Sequence, residues 1–410
     1  MNKSDSERIA AVLENKGYKP TQKINGADLV VINMCSVRQS AVDRVYGLLS
    51  KFDKLKTQNP KLKTILTGCI LKKDKNKLAK NFDFVFELKN LSKWPEILNA
   101  EVSFSHDPEK MKHKDYFEIE PKYSNKLSAL VLIMRGCNNF CAYCVVPYTR
   151  GKEISRPAEE IICEIKKLIK QGCKEIWLLG QNVNSYSDIS FLQLLRKVNN
   201  IPGKFWIRFT SSHPKDFSDE LIKTMKDCKK VTPYLNLPVQ TGDDEILKKM
   251  NRPYSIAQYK NIIKKVRKEI PNICLSTDVI VGFPGETKKQ FENTAKLFRE
   301  IKYDMAYINK YSLRAGTAAA KLKDNVPAKE KKRREKTLNE ILKQTALANN
   351  KKYTGKTIEV LPTNYKDKFL FGKSFHYKTV KFKGQKNLIG KFAKIKITDA
   401  LTWGLKGELC

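Results

Sequence analysis

The stretch MRGCNNFCAYCVVPYTRG, residues 134–151, restricts this chain more than any other feature. Cys137, Cys141 and Cys144 fall in the spacing C-x3-C-x2-C within one short loop. Three thiolates so close can hold three irons of a [4Fe–4S] cluster, leaving the fourth iron open. Two plainer readings are three buried thiols, or a zinc site short of its fourth ligand. The apolar run SALVLIMRG ahead of the loop is strand-like, so the cysteines cap a strand. Functional residues of parallel α/β folds gather at such carboxyl strand ends.

Residues 127–350 repeat the strand–helix alternation that a parallel sheet requires. Strand candidates are SALVLIMRG, EIWLLG, WIRFTS, YLNLPVQ, CLSTDVIVG and MAYINKYS, with helical segments such as PAEEIICEIKKLIKQG and KKQFENTAKLFREI between them. Six such units make a full or partial (β/α) barrel, extended by the basic helical segment 326–352. Residues 1–105 form a smaller open α/β domain. In it SDSERIAAVLENKG reads as a capped helix ending at Gly17, SVRQSAVDRVYGLLSKF as a helix, and DLVVINMC, KTILTGCI and DFVFEL as strands. The polar segment 106–126 reads as a linker, and its His106 and His113 as solvated side chains. From 351 to 410 short Gly- and Lys-punctuated strands without helices suggest a small antiparallel barrel of a kind often used for nucleic acid.

Composition adds a sign and a compartment. The net charge of +36 and pI near 9.7 favour a polyanionic partner, with nucleic acid foremost. Lysine outnumbers arginine 65 to 14, however, which an AT-rich genome also produces, so charge alone leaves the point open. No apolar run reaches the roughly 20 residues of a membrane span. The first residues, MNKSDSERIA, are polar where a secretory signal would be apolar, and a cytoplasmic location is expected. Ten cysteines in a reducing compartment are ligands or packed thiols, not a disulfide framework. Cys163, Cys173, Cys228, Cys274 and Cys410 show no ligand spacing. Cys35 and Cys69 differ, because each ends an apolar strand of the first domain. Two thiolates at equivalent strand ends suggest a site that needs a further ligand.

The cysteine loop at the top of a first barrel strand resembles the radical-SAM superfamily. The order of α/β domain, barrel and small β-barrel resembles its methylthiotransferases, whose C-terminal module is the RNA-binding TRAM barrel. NMCSVRQSAVDRVYG, IMRGCNNFCAYCVVPYTRGKEISRP, LLGQNVNSY, RFTSSHPKDFSDELI, LPVQTG, MNRPYS and STDVIVGFPGET resemble the tRNA branch of that family. The resemblance implies insertion of sulfur at C2 of N6-isopentenyladenosine-37 in the tRNA anticodon stem-loop, followed by methylation. It further implies two S-adenosylmethionine (SAM) per product, one cleaved to a deoxyadenosyl radical. An electron donor such as flavodoxin or ferredoxin, a sulfur donor and a monomeric state are also expected. Cys137, Cys141 and Cys144 would hold the SAM-cleaving cluster, shielded by Tyr143. Cys35 and Cys69 would hold an auxiliary [4Fe–4S] cluster, whose third cysteine in the family lies in a GCQMN-like motif. MNKSDSE looks like the second half of that motif, which places the missing cysteine two residues before Met1. Gly180, Gln181, Asn182, Ser211, Ser212, Gln240, Asp278 and the loop Gly282 to Glu286 would face SAM. Asn236 stands where the family pattern leads one to expect histidine. Arg135, Arg150, Arg156, Arg208 and Arg252 lie in or beside motifs, and some are expected on SAM carboxylate or tRNA phosphate. Three other readings stay open: the branch acting on a ribosomal-protein aspartate, the branch acting on threonylcarbamoyladenosine, and a SAM- and tRNA-binding protein that inserts no sulfur.

Overall fold

A computed structural model describes residues 1–37, 39–99 and 115–410; His106 and His113 lie outside the described residues. The first domain carries three parallel strands, β1 (Leu29–Cys35), β2 (Lys63–Cys69) and β3 (Phe84–Val85), in that order. β1 and β2 pair in register from Leu29 with Lys63 to Cys35 with Cys69, so the two cysteines end adjacent strands side by side. The segment read as one helix after Cys35 is two, Gln39–Tyr46 and Leu49–Gln58, broken at Gly47 and Leu48. DFVFEL shrinks to the two residues of β3 because a 3-10 turn over Leu88–Lys93 takes the chain away. The opening helix spans Asn2–Glu14 without a side-chain cap. Its Ser4 and Asp5, which look like capping residues in the sequence, lie inside it and are fully buried.

The central domain contains β4 (Ser128–Leu132), the short antiparallel pair β5 (Met134–Arg135) and β6 (Ile154–Ser155), then β7 (Glu175–Leu179), β8 (Trp206–Phe209), β9 (Tyr234–Asn236), β10 (Cys274–Val281) and β11 (Met305–Lys310). Parallel pairing runs β4–β7–β8 and β9–β10–β11. The two halves meet at Ile207, whose N–H donates to Lys230 O (2.8 Å) and whose carbonyl accepts from Thr232 N (3.0 Å). The result is a six-stranded partial barrel. Alternate residues sort into two layers, as the period-2 pleat demands. Ile176, Leu178, Ile207 and Phe209 pack with Ile161, Leu194 and Leu221 of the covering helices. Leu132, Trp177, Leu179 and Tyr234 instead join Ile9, Leu13, Ile65 and Trp94 of the first domain in one apolar cluster. Thus the two domains share a core.

The long helix Ala328–Lys351 buries Leu338, Ile341, Leu342 and Ala346 despite its basic composition. The last domain is a closed barrel of β12 (Thr357–Lys366), β13 (Phe369–Ser374), β14 (Thr379–Lys383), β15 (Ala393–Leu401) and β16 (Gly404–Leu409), ordered β12-β13-β14-β16-β15. It is not wholly antiparallel, since β14 and β16 pair in parallel to close it. Much of its aromatic set is structural. Tyr353 and Phe382 are core, Phe375 and Phe392 pack on Trp206, and Tyr377 packs on Trp177 and Tyr234, whereas Trp403 is exposed. No helix among the described residues is long and apolar enough to cross a membrane.

Arg208 joins this barrel to the central one. It is buried, and its guanidinium donates to Glu175 (2.6 Å), Thr232 (2.9 Å), Ser374 O (2.9 Å) and Phe375 O (3.2 Å). Four of five donors are thereby used on protein groups. The expected SAM or phosphate contact is corrected: this arginine is an interdomain clasp. Arg208→Ala leaves Glu175 buried without its partner, and a loss of roughly 3–5 kcal/mol is expected. A lower thermal midpoint, with proteolysis freeing the C-terminal barrel first, checks this.

Candidate active site

The cysteine loop is fixed at both ends by β5 and β6, and Gly136 makes that closure possible. Its φ is +77°, and a Cβ there would meet the Lys152 carbonyl at 1.9 Å, so no other residue fits. Inside the loop Ala142 N donates to Met250 O (2.9 Å), Ala319 N donates to Ala142 O (2.7 Å), and Asn251 Nδ2 donates to Phe140 O (3.0 Å). Each thiol faces a donor: Asn139 Nδ2 lies 3.4 Å from Cys137 Sγ, Arg252 Nη1 3.6 Å from Cys141 Sγ, and Val146 N 3.5 Å from Cys144 Sγ. Burial pushes the Cys137 thiol up and the Cys144 thiol to about 12, so thiolate forms here only with compensating positive charge. N–H donors aimed at all three sulfurs suit iron-bound thiolates. Among the described residues no three His, Cys, Asp or Glu side chains converge on a single metal ion. Thiolates on three separate irons have no need to converge, so the loop fits a cluster better than a mononuclear zinc site.

Tyr143 packs beside this loop, where burial raises its hydroxyl and the Arg252 charge opposes the shift. Arg252 is buried, donating to Tyr254 Oη (3.0 Å) and Pro238 O (2.8 Å) besides Cys141. Across the strand ends stands a group of buried polar atoms without hydrogen-bond partners: both amide atoms of Gln181, Ser212 Oγ and His213 Nε2. Such atoms are costly unless a ligand receives them. Ser211 (φ +67°) and Gln240 (φ +69°) hold left-handed backbones at neighbouring strand ends, where strain of order 1–3 kcal/mol marks functional positions. Asn236 joins Ser211 to β10: its Oδ1 accepts from Ser211 N (3.3 Å), and its Nδ2 donates to Ser276 (3.1 Å) and Asp278 (3.2 Å), whose carbonyl accepts from Gln240 N (2.8 Å). The departure from histidine thus has an intact local network.

Other expected residues find different partners. Gly180 lies against Met134, which a Cβ would meet at 2.5 Å, and Asn182 binds Asp216 (2.8 Å) and the His213 N–H (3.2 Å). The loop Gly282 to Glu286 turns toward the long helix, with Glu286 paired to Arg334 (2.5 Å) and Phe283 packed on Ala142, so it braces the site from outside. Arg156 pairs with Glu160 and Glu164, and Arg135 with Asp115. Arg150 donates Nε to Cys69 Sγ (2.9 Å) and Nη2 to Asp5 (2.6 Å), which places it between the cysteine loop and the Cys35–Cys69 strand ends. Its partners are a thiol, a carboxylate and, at 3.4 Å, the Asn2 amide oxygen, all of the first domain. Asp5 went unnoticed in the sequence, where only its spacing from Ile9 on one helix face hints at burial. The remaining cysteines are free, with Cys163 and Cys410 exposed.

With this geometry in view, comparison with known proteins is decisive. The chain is 43% identical over 424 residues to a Clostridium botulinum tRNA-2-methylthio-N(6)-dimethylallyladenosine synthase, spanning 100% of this chain and 94% of that protein. It belongs to that family. The Acetivibrio thermocellus relative of the same name is 41% identical over 430 residues, covering 100% of this chain and 88% of that one. The radical SAM superfamily matches residues 131–298, the TRAM domain residues 351–410, and the uncharacterized protein family UPF0004 residues 1–87. Among solved structures, the radical S-adenosylmethionine methyltransferase TsrM of Kitasatospora setae superposes with a TM-score of 0.57 at 12% identity. That match covers 77% of this chain and 72% of that one, and it shows the fold alone. SAM and one [4Fe–4S] cluster belong to a chain of this family, and the three-thiol loop with its unpartnered neighbours fits them.

Burial holds His213 at about 2, with Arg252 and Lys215 adding to the shift, and burial holds His376 at about 4. Both are neutral when folded and protonate on unfolding below pH 6.5. Stability is therefore complete above pH 6.5 and falls with acidification, by up to about 1.4 kcal/mol per pH unit for His213. His213→Gln is expected to flatten the fall in thermal midpoint between pH 6.5 and 5 by about one proton.

Proposed function

We propose that this chain is a tRNA methylthiotransferase that places sulfur and then a methyl group at C2 of an N6-isopentenylated adenosine. The observation that carries this is the Arg150 bridge, which sets the three-thiol loop beside Cys35 and Cys69 in a chain with full-length relatives so named. Cys137, Cys141 and Cys144 would hold a cluster that supplies the electron for reductive cleavage of SAM to methionine and a carbon radical, the species able to take hydrogen from an unactivated C–H bond that no acid–base pair can open.

The protein's own residues set the conditions. Gln181 and Ser212 offer their unpartnered polar atoms to the amino-acid end of SAM. Arg252 holds positive charge against Cys141 and fixes the Pro238 carbonyl, keeping the floor of the site rigid. Cys35 and Cys69 would supply two of the ligands of a second [4Fe–4S] cluster that carries the sulfur, a site that needs one ligand more. Burial raises the Cys69 thiol, and the adjacent Arg150 charge opposes that rise, which favours the ligating thiolate. The basic C-terminal barrel holds the RNA chiefly through lysines, with flavodoxin- or ferredoxin-like reduction, a separate sulfur donor, and action as a cytoplasmic monomer.

Nucleoside mass spectrometry on tRNA incubated with the reconstituted enzyme, SAM and reductant tests this. Cys137→Ala is expected to abolish both deoxyadenosine and 2-methylthio product. Cys35→Ser and Cys69→Ser are expected to keep deoxyadenosine formation and lose the product. Methylthiolation of threonylcarbamoyladenosine or of a protein aspartate instead would overturn the assignment.

A further inference from the structure

A cavity of about 440 Å³ adjoins this site. It lies between the strand ends of the first domain and the cysteine loop, lined by Gly68, Ile70, Lys75, Val85, Phe86, Glu87, Leu88, Lys89, Tyr116, Arg135 and the segment 148–152 with Ile154. Gly68 and Ile70 flank Cys69, so the cavity opens directly beside the auxiliary thiol. Most of its charges are already paired, Arg135 with Asp115 (3.6 Å) and Arg150 with Asp5 (2.6 Å). Glu87 is already paired with Lys89 (2.8 Å) and Lys75 (3.7 Å), whereas Lys152 is exposed and makes no ion pair among the described residues. Arg135 stacks over Tyr116 and Phe117, and its Nε is buried without a hydrogen-bond partner.

An aromatic lip stands at the rim. Tyr148 is 57% exposed and Phe140 53%, and the rings meet edge to face with centroids 6.2 Å apart. Phe140 also has φ +42°, so the loop spends backbone strain to hold a large ring in water. The Asn251 bond to the Phe140 carbonyl accounts for the held backbone, but no core packing accounts for the exposed ring.

From these features we infer that the lip and cavity form a subsite for one unstacked nucleotide of single-stranded RNA. The base packs on Tyr148 and Phe140, and its phosphate meets Lys152 and Arg135. Aromatic faces beside cations are how looped RNA is held, and an acidic protein surface would leave the two rings without a partner. The inference rests on the RNA substrate proposed above and names where a nucleotide neighbouring the modified one is gripped.

The test uses the full-length, cluster-loaded enzyme and an anticodon stem-loop hairpin with 2-aminopurine beside the isopentenylated adenosine. Hairpin affinity, its salt dependence and 2-aminopurine quenching are read together, with the iron–sulfur absorbance confirming an intact loop. Tyr148→Leu is expected to weaken binding about tenfold and relieve the quench, while Tyr148→Phe restores both. Lys152→Gln is expected to reduce the slope of log affinity against log salt by about one. Wild-type affinity, quench and slope in both Tyr148→Leu and Lys152→Gln would overturn the subsite. So would a Lys152→Gln defect confined to cluster reduction by an acidic donor protein. Failure of the unaltered enzyme to bind the hairpin would instead sink the RNA reading itself.

Discussion

A single buried guanidinium holds the two thiol groups of this protein together. Arg150 leaves the short helix after Cys144, crosses to the first domain, and divides its donors between Asp5 and Cys69. Burial alone would lower it, and the Asp5 carboxylate reverses that, so it stays cationic. Asp5 in turn accepts from the Tyr116 hydroxyl, which ties the first helix to the segment entering the central barrel. An uncompensated charge at this depth is strongly destabilising, so any rearrangement of one partner exposes the others to that cost. The geometry therefore couples the position of Cys69 to that of the cysteine loop.

The rest of the architecture serves that juxtaposition. A partial barrel leaves inward residues such as Trp177 and Tyr234 without a full lumen to fill. The first domain covers them with Ile9, Leu13, Ile65 and Trp94, which brings the ends of β1 and β2 close to the barrel. On another face Arg208 clasps the C-terminal barrel, which is thereby docked through buried hydrogen bonds. The cysteine loop, the Cys35–Cys69 strand ends and the C-terminal barrel are set by packing that none of the three domains has alone.

Much of this was legible from local pattern. The six central strands follow from apolar runs alternating with amphipathic helices, and the cysteine loop from its spacing. What escaped was decided by partners distant in sequence. Asp5 looks like a capping residue until Arg150 arrives from 145 positions away. Arg208 looks like a phosphate fork until Ser374 and Phe375 fill it. GFPGE resembles a cofactor loop, yet Glu286 answers Arg334 on the long helix. The parallel closure of β14 on β16 was equally invisible, because GLKGEL carries too few apolar residues to announce a strand. Arginine rarity drew attention to Arg150 and Arg208; only the fold says that both bridge domains.

The central proposal is that two thiol groups, not one, would carry iron in this chain. Iron and sulfide analysis with Mössbauer spectroscopy on anaerobically reconstituted protein reads it directly. The account predicts roughly eight irons per chain in two [4Fe–4S] environments, falling to about four when Cys35 and Cys69 are both replaced by serine. A single cluster of about four irons in the unaltered chain, unchanged by that double substitution, would contradict it.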